Sequence, residues 1–184
     1  MINKNTLYFY LLNSNYFEEY QNLDEFQEDN SRGHGVIVID INDLIIAVPL
    51  RSGINAYLSN SKHIFKYTEY LRPSGRSCIK ALDFSKITIV EEKYINKNTT
   101  YIFKDENERQ FYLKNFNRIY TRINNYVKAY KNICYNIEVG KRVYINTLKP
   151  YKFSTLRNFH SELDINITKE QFIEVLEENG LIKK

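Results

Sequence analysis

Two apolar segments joined by a short polar turn place the strongest constraint on how this chain folds. Residues 36–41 and 44–50 are near-continuous aliphatic runs, and Asn42-Asp43 between them is typical of a tight hairpin turn. Strands that are apolar on both sides are typical of a sheet covered on both faces. The sequence therefore predicts a β-hairpin at the centre of a covered or barrel-like curved sheet.

Other strands are expected on either side of this hairpin. Aromatic and aliphatic residues at 6–12 predict a first strand, and a helix is expected to begin at Asn15, with Glu18 completing its cap, and to fade near Glu28. Strand-like segments recur at residues 64–67, 86–91 and 142–146, with a loop at residues 71–78.

The longest helix is predicted over residues 105–132, where apolar residues recur at intervals of three and four. Lys114, Arg118 and Arg122 cluster on its other side, either as an RNA-binding stripe or as a solvated face. Shorter helices are expected over residues 154–163 and 168–179, and the latter has a capping box, Thr168 with Gln171.

The number and order of these elements predict the fold class. We expect one compact α+β domain over residues 1–184, with a strongly twisted, mostly antiparallel sheet flanked by helices. A chain of 184 residues with 43% hydrophobic residues can bury one core of good size. Two cysteines, no predicted signal peptide and no membrane-length apolar segment favour the cytoplasm.

The aromatic content bears on function in two opposed ways. The chain has 16 Tyr and 11 Phe but no Trp, and a net charge of +4. Aromatic rings interleaved with Lys and Arg suit unpaired bases and phosphates. A/T-biased coding also enriches Tyr and Phe together with Asn, Lys and Ile, so composition alone leaves both interpretations open.

Motifs of several common enzyme classes are missing from the sequence. There is no Gly-rich phosphate loop, no GxSxG element and no pair of His or Cys at zinc-binding spacing. We therefore predict no cofactor and no metal. RNA cleavage through the substrate's own 2′-hydroxyl remains, because it needs only proton transfer and donors for the charge that builds on phosphorus.

Residues suited to that chemistry stand at the two ends of the central hairpin. Arg32 and His34 precede the first arm, and Arg51 and Ser52 follow the second. A two-residue turn brings the far ends of such a hairpin together. The four residues are thus predicted to share one cleft and to be catalytic.

Three segments resemble a known family. Residues 47–52, AVPLRS, resemble the P-L-[TR]-S element of the ToxN/AbiQ/TenpN toxins of type III toxin–antitoxin systems, in which a Lys or Arg precedes the same hairpin as Arg32 does here. Residues 9–26, FYLLNSNYFEEYQNLDEF, are similar to the family's opening strand and helix, and ALDFSK at 81–86 is similar to an element of its TenpN branch. Together the segments span roughly residues 7–91, half of the chain.

The resemblance implies a fold related to Kid/MazF toxins and cleavage of messenger RNA at A-rich sites. It also implies inhibition by a tandem-repeat, pseudoknot-forming RNA in a toxin–RNA assembly. Arg51 and Ser52 would then lie at the scissile phosphate, with Arg32 as a charge-stabilising cation. Because an arginine cannot lose its proton at working pH, His34 becomes the candidate base unless it is a plain loop residue.

The remaining candidates are expected to contact RNA. Tyr16 is placed near the RNA by the resemblance, although it also fits the core stripe of its helix. Asp83 and Lys86 are either part of the site or a local surface pair, and loop residues near the proposed cleft add Lys62, His63 and Arg76. Two other functions stay open: a non-catalytic RNA-binding regulatory module, and a structural or protein-interaction domain.

Overall fold

The computed structural model describes residues 7–25 and 35–183, which form an α+β domain built on a seven-stranded sheet. The sheet order is β4-β5-β3-β2-β1-β7, β6 pairs with β3, and every paired strand is antiparallel to its neighbour. The strands are β1 Tyr8–Leu12, β2 Gly35–Ile41, β3 Leu44–Asn55, β4 Ile64–Leu71, β5 Ser77–Asp83, β6 Thr88–Ile89 and β7 Ile95–Thr100. The antiparallel α+β fold class is thus confirmed.

The central hairpin has the predicted turn and register. Asn42 and Asp43 both have positive φ, 53° and 66°, as a two-residue turn that matches the strand twist requires. The arms pair without a break from Ile41 opposite Leu44 to Val36 opposite Pro49.

Both faces of β2 are buried, as the continuous apolar run predicts. Ile37 and Ile39 belong to the main core, while Val36 and Val38 pack in a second cluster with Tyr16 on the opposite face. Each of these four β2 residues is at most 2% exposed. The hairpin is therefore the shared wall of two apolar layers.

Strand β3 continues past the predicted arm and changes partner. Its first half pairs with β2, whereas Leu50 to Asn55 pairs with β5 across a bulge between Ser52 and Ile54. Gly53 has a φ of 80° at this bulge, a conformation that glycine adopts without strain. Arg51 and Ser52 precede this bulge and are paired with Ala81 and Lys80 of β5.

The helices cover the sheet and build the C-terminal part of the domain. They are α1 Ser14–Tyr20, α2 Glu106–Lys114, α3 Phe116–Glu138, α4 Ile145–Leu148 and α5 Lys169–Glu178. The capping box of Thr168 and Gln171 is present as predicted. Within the described ranges, no helix has both the length and the apolar character needed to cross a bilayer.

Several predicted boundaries are wrong. The expected helix over 105–132 is two helices that meet at Asn115, whose side chain donates to the Phe111 carbonyl at 2.8 Å and so ends α2. Helix α1 is capped by Asn13, not Asn15, and ends at Tyr20. Residues 142–146 form no strand, since α4 begins at Ile145.

Two strands have no counterpart in the prediction. The predicted loop at residues 71–78 is only a short turn, and β5 begins at Ser77 directly after it. Lys80 interrupts the apolar alternation of β5, and β7 (INKNTT) is a polar edge strand. β7 is defined by its pairing with the distant β1, and β5 by its pairing with the distant β3 as well as with the adjacent β4. Local periodicity carries no signal of the distant pairings.

Candidate functional site

An ion pair lies where the second half of β3 meets β5. The guanidinium of Arg51 donates from Nη1 to Oδ2 of Asp83, the last residue of β5. The Arg51 side chain is 29% exposed, and that of Asp83 is 5% exposed. A buried carboxylate thus orients a cation whose other donors face the surface.

The second oxygen of Asp83 is also occupied. Oδ1 accepts a hydrogen bond from the Ser85 hydroxyl at 2.6 Å and another from the Ser85 backbone N–H at 3.0 Å. The carboxylate caps the 3-10 turn at Phe84–Lys86, and so it is held on both sides. Its role in this arrangement is to position Arg51.

His63 lies close to the same carboxylate. Its carbonyl accepts from the Phe84 N–H at 2.7 Å, and its ring Nδ1 is buried with no hydrogen-bond partner among the described residues. Burial lowers the pKa of His63; the charge of Arg122 lowers it further and that of Asp83 opposes the shift. The imidazole is therefore neutral near pH 7.

A small pocket opens on the other side of the hairpin end. It has a volume of about 60 Å³ and is lined in part by Tyr16, Pro49, Lys86 and Thr88. Pockets that hold drug-sized ligands have volumes of roughly 300–1,000 Å³, so a nucleotide does not fit inside. The pocket accordingly belongs to the packing beneath α1.

Tyr16 and Lys86 are both held within this region. The Tyr16 hydroxyl donates to Thr88 Oγ1 at 2.7 Å, its ring is 3% exposed, and burial raises the pKa of the phenol. Lys86 Nζ donates to the Glu25 carboxylate at 2.7 Å and to the Phe153 carbonyl at 3.2 Å. The structure therefore favours packing for Tyr16 over the RNA contact, and Lys86 ties the region near α1 to the C-terminal segment.

Ser52 does not share a cleft with Arg51. Residues paired in an antiparallel sheet lie on the same face; Arg51 is opposite Ala81 and Ser52 is opposite Lys80. Successive residues of a strand point to opposite faces. The exposed Ser52 is thus on the side of α2, where Lys80 forms an ion pair of 3.1 Å with Glu108, and the predicted common cleft is wrong for this pair.

The other two predicted catalytic residues, Arg32 and His34, lie outside the described residues.

The predicted basic stripe is divided by the break between α2 and α3. Lys114 is the exposed last residue of α2, whereas the guanidinium groups of Arg118 and Arg122 lie 5.8 Å and 5.3 Å from the ring centre of Phe65. Nη2 of Arg122 donates to the carbonyls of Lys62 at 2.9 Å and Ile64 at 2.8 Å. Arg122 therefore fixes the loop before β4, and burial lowers its pKa.

Lys62 and Arg76 are exposed loop cations in different places. Lys62 stands in the loop that Arg122 fixes, and Arg76 is in the turn between β4 and β5. Ser85 and Glu25 are partners of the candidate residues that the sequence analysis did not name. Ser85 was detectable, because Asp-x-Ser is a typical side-chain capping pattern, whereas Glu25 meets Lys86 across a separation that no local pattern reveals.

Comparison with protein-family models, with curated proteins and with solved structures found no match to this chain. Within residues 7–25 and 35–183, no three His, Cys, Asp or Glu side chains are grouped so that they could hold a metal ion. The site is thus defined by its own geometry: Arg51, with a partly exposed side chain, is held by Asp83, a buried aspartate that accepts three hydrogen bonds.

Proposed function

We propose that this chain is a cytoplasmic endoribonuclease, the toxin of a type III toxin–antitoxin system, which cleaves single-stranded messenger RNA without a metal. A tandem-repeat, pseudoknot-forming RNA is its proposed inhibitor, and defence against phage by abortive infection is its proposed role. The observation that carries the proposal is the orientation of Arg51 by buried Asp83. Arg51 lies in the PLRS element and Asp83 in the ALDFSK element, two of the segments that resemble this family.

In the proposed reaction the substrate's 2′-hydroxyl attacks the adjacent phosphorus. The 2′-hydroxyl gives its proton to the base, the P–O bond to the 5′-oxygen breaks, and that oxygen takes a proton from solvent, which leaves a 2′,3′-cyclic phosphate and a 5′-hydroxyl. Arg51 stabilises the charge that develops on the phosphoryl oxygens, and Asp83 keeps its guanidinium in place without reorganisation during the reaction. Arg32 and His34 remain the proposed second cation and base.

The fold is compatible with the relationship to Kid/MazF toxins that the resemblance implies. A strongly paired antiparallel sheet with a long helix on one face supports this relationship as part of the proposal. Because one architecture can serve many functions, the proposed function depends on Arg51 and its surroundings and not on the fold.

A non-catalytic RNA-binding regulator is the second candidate, and one observation favours it. Ser52 and Arg51 lie on opposite faces of β3, so the hydroxyl and the cation do not converge on one phosphate. A binding module needs no such convergence. This protein would bind RNA and leave it intact, and growth would not depend on Arg51.

Cell growth separates these candidates. Expression of the chain alone is expected to stop growth, and co-expression of its cognate repeat RNA is expected to restore it, because the RNA occupies the cleaving surface. The measurement is colony count at matched protein level, with the Arg51→Gln variant as the control that stays harmless without RNA. Equal growth of the parent with and without the repeat RNA would contradict the toxin proposal.

A further inference from the structure

A groove of about 530 Å³ runs between α3 and the segment 146–151, and Lys62, in the loop before β4, also lines it. Its polar lining comprises Lys62, Arg122, Asn125, Asn146 and Thr147. Of the described residues that line it, none is acidic. Two cations beside amides and a hydroxyl suit an anionic ligand that also offers hydrogen-bonding edges.

The charge of the segment that follows α3 strengthens this preference for an anionic ligand. Between Glu138 and Glu162 the sequence contains no acidic residue, but it contains the cations Lys141, Arg142, Lys149 and Lys152. The fifth cation of this segment, Arg157, is buried and pairs with Glu25, so it does not contribute. Lys149 is exposed beside the groove, and its Nζ donates to Oδ1 of Asn146, a lining residue, at 3.2 Å. The chain as a whole has a net charge of only +4, so this segment is more positive than the average of the sequence.

The floor of the groove is held rigid by two reciprocal hydrogen bonds. The Tyr126 hydroxyl donates to the Pro150 carbonyl at 3.1 Å, and the Tyr151 hydroxyl donates to the Tyr126 carbonyl at 2.9 Å. The two rings lie 4.6 Å apart. Because α3 and the following segment are fixed to each other, the groove is formed before a ligand binds. Binding therefore carries little entropy cost for ordering the protein.

An exposed aromatic ring stands at the beginning of the same wall. Tyr144 directly precedes α4 and is 66% exposed, and the guanidinium of Arg142 lies 5.5 Å from its ring centre. Single-stranded nucleic acids are commonly bound by such rings, on which bases stack, combined with cations that follow the phosphates.

We propose that the α3–α4 groove binds unpaired nucleotides of single-stranded RNA, with phosphates near Lys62 and Lys149 and base edges facing Asn125 and Asn146. The choice of RNA over DNA rests on the proposed function. The groove is a site distinct from Arg51, since Arg51 packs on Asp83 and does not line it. Its contribution is to affinity for the strand and not to the chemical step.

The test uses a fluorescent 2′-O-methyl oligoadenylate of about twelve nucleotides, within the usual site size for such proteins. This probe lacks the attacking hydroxyl, so its binding is measured apart from cleavage. Ala129 is exposed on α3 and lines the groove, and Ala129→Trp fills the groove without changing charge. Lys62→Ala removes a lining cation, and Lys128→Ala, an exposed lysine of α3 outside the lining, is its matched control.

We expect Lys62→Ala to weaken binding about fivefold at 0.1 M salt and to reduce the slope of log affinity against log salt by about 0.7. Ala129→Trp is expected to weaken binding by about tenfold or more, because bases lose their contacts with the groove. Lys128→Ala is expected to stay within about twofold of the parent, since it removes no phosphate contact. Melting temperatures of all variants are measured alongside.

Ala129→Trp that melts and binds like the parent overturns the proposal. Displacement of the probe by polyglutamate as readily as by unlabelled RNA also overturns it, because the groove then selects only negative charge. The two proposals fail separately. A parent that binds the probe through the groove but cuts no RNA contradicts the endoribonuclease alone, whereas Ala129→Trp that cuts RNA with unchanged KM contradicts the groove alone.

Discussion

Arg51→Gln is expected to reduce the rate of RNA cleavage by about 10²–10³-fold, the usual effect of removing one donor to the transition state. Glutamine keeps a hydrogen-bond donor for the buried Asp83 carboxylate but removes the positive charge. The rate is measured under single-turnover conditions, so that binding and chemistry are separated. Arg109→Gln is the matched control, because Arg109 forms an exposed ion pair with Glu106 and its loss should leave the rate unchanged.

The double variant Arg51→Gln/Asp83→Asn separates chemistry from folding. Removing one member of a buried ion pair leaves an uncompensated charge, whereas replacing both members removes that cost. We expect the double variant to melt closer to the parent than Arg51→Gln does, and to remain as slow in cleavage. Recovery of both melting temperature and cleavage in the double variant would show that Arg51 acts only through folding.

The Ser52→Ala variant tests on which face of β3 the RNA is cleaved. Ser52 lies on the face of β3 that carries Lys80. If the reaction occurs on the other face, beside Arg51, the loss of the Ser52 hydroxyl should affect cleavage much less than the loss of Arg51. The opposite order, with Ser52→Ala inactive and Arg51→Gln active, would place the chemistry on the α2 side of the sheet.

Phe172→Ala is expected to reduce the free energy of unfolding by about 3–5 kcal/mol, the range for deleting a large buried aromatic ring. Phe172 in α5 is fully buried, and its ring centre lies 5.0 Å from that of Tyr130 in α3. Its loss opens a cavity between α5 and the long helix that covers the sheet. Urea unfolding at equilibrium measures the change through the transition midpoint.

Phe153→Ala is the matched control for this substitution, because the same ring is 49% exposed there and its loss should change stability by about 0.5 kcal/mol or less. A single transition shifted to lower urea is the expected result for Phe172→Ala. An early transition for the C-terminal helices with an unchanged one for the sheet would show that residues 1–184 are not one cooperative unit.

Local features of this fold could be predicted from the sequence, whereas features that depend on distant residues could not. The hairpin turn at Asn42 and Asp43 and the capping box at Thr168 were predictable, because each depends on residues within a few positions of one another. Strand β5 was not, since Lys80 breaks its alternation and its partners β3 and β4 define it. The end of α2 at Asn115 depends on one side-chain hydrogen bond to a carbonyl, a weak signal within a strong helical period.

The candidate site was predictable only in part, for the same reason. Arg51 is expected from the sequence just beyond the second arm and in one cleft with Ser52. It lies inside β3, which continues to Asn55, and strand alternation separates these two neighbours. For Asp83 the sequence offers only the nearby Lys86 as a partner, because the contact between Arg51 and Asp83 depends on the pairing of β3 with β5 from Leu50 on. Local patterns carry no information about that change of partner.

RNA cleavage through the substrate's own 2′-hydroxyl is recognisable from the ends of its products. Purified protein is incubated with single-stranded A-rich RNA in excess EDTA, and the 3′ ends of the fragments are identified by mass. We expect cleavage that persists with the chelator and yields 2′,3′-cyclic phosphate and 5′-hydroxyl ends, and we expect Arg51→Gln to abolish almost all of it. Cleavage that stops in EDTA and returns with Mg²⁺, or RNA that remains intact throughout, would contradict this mechanism.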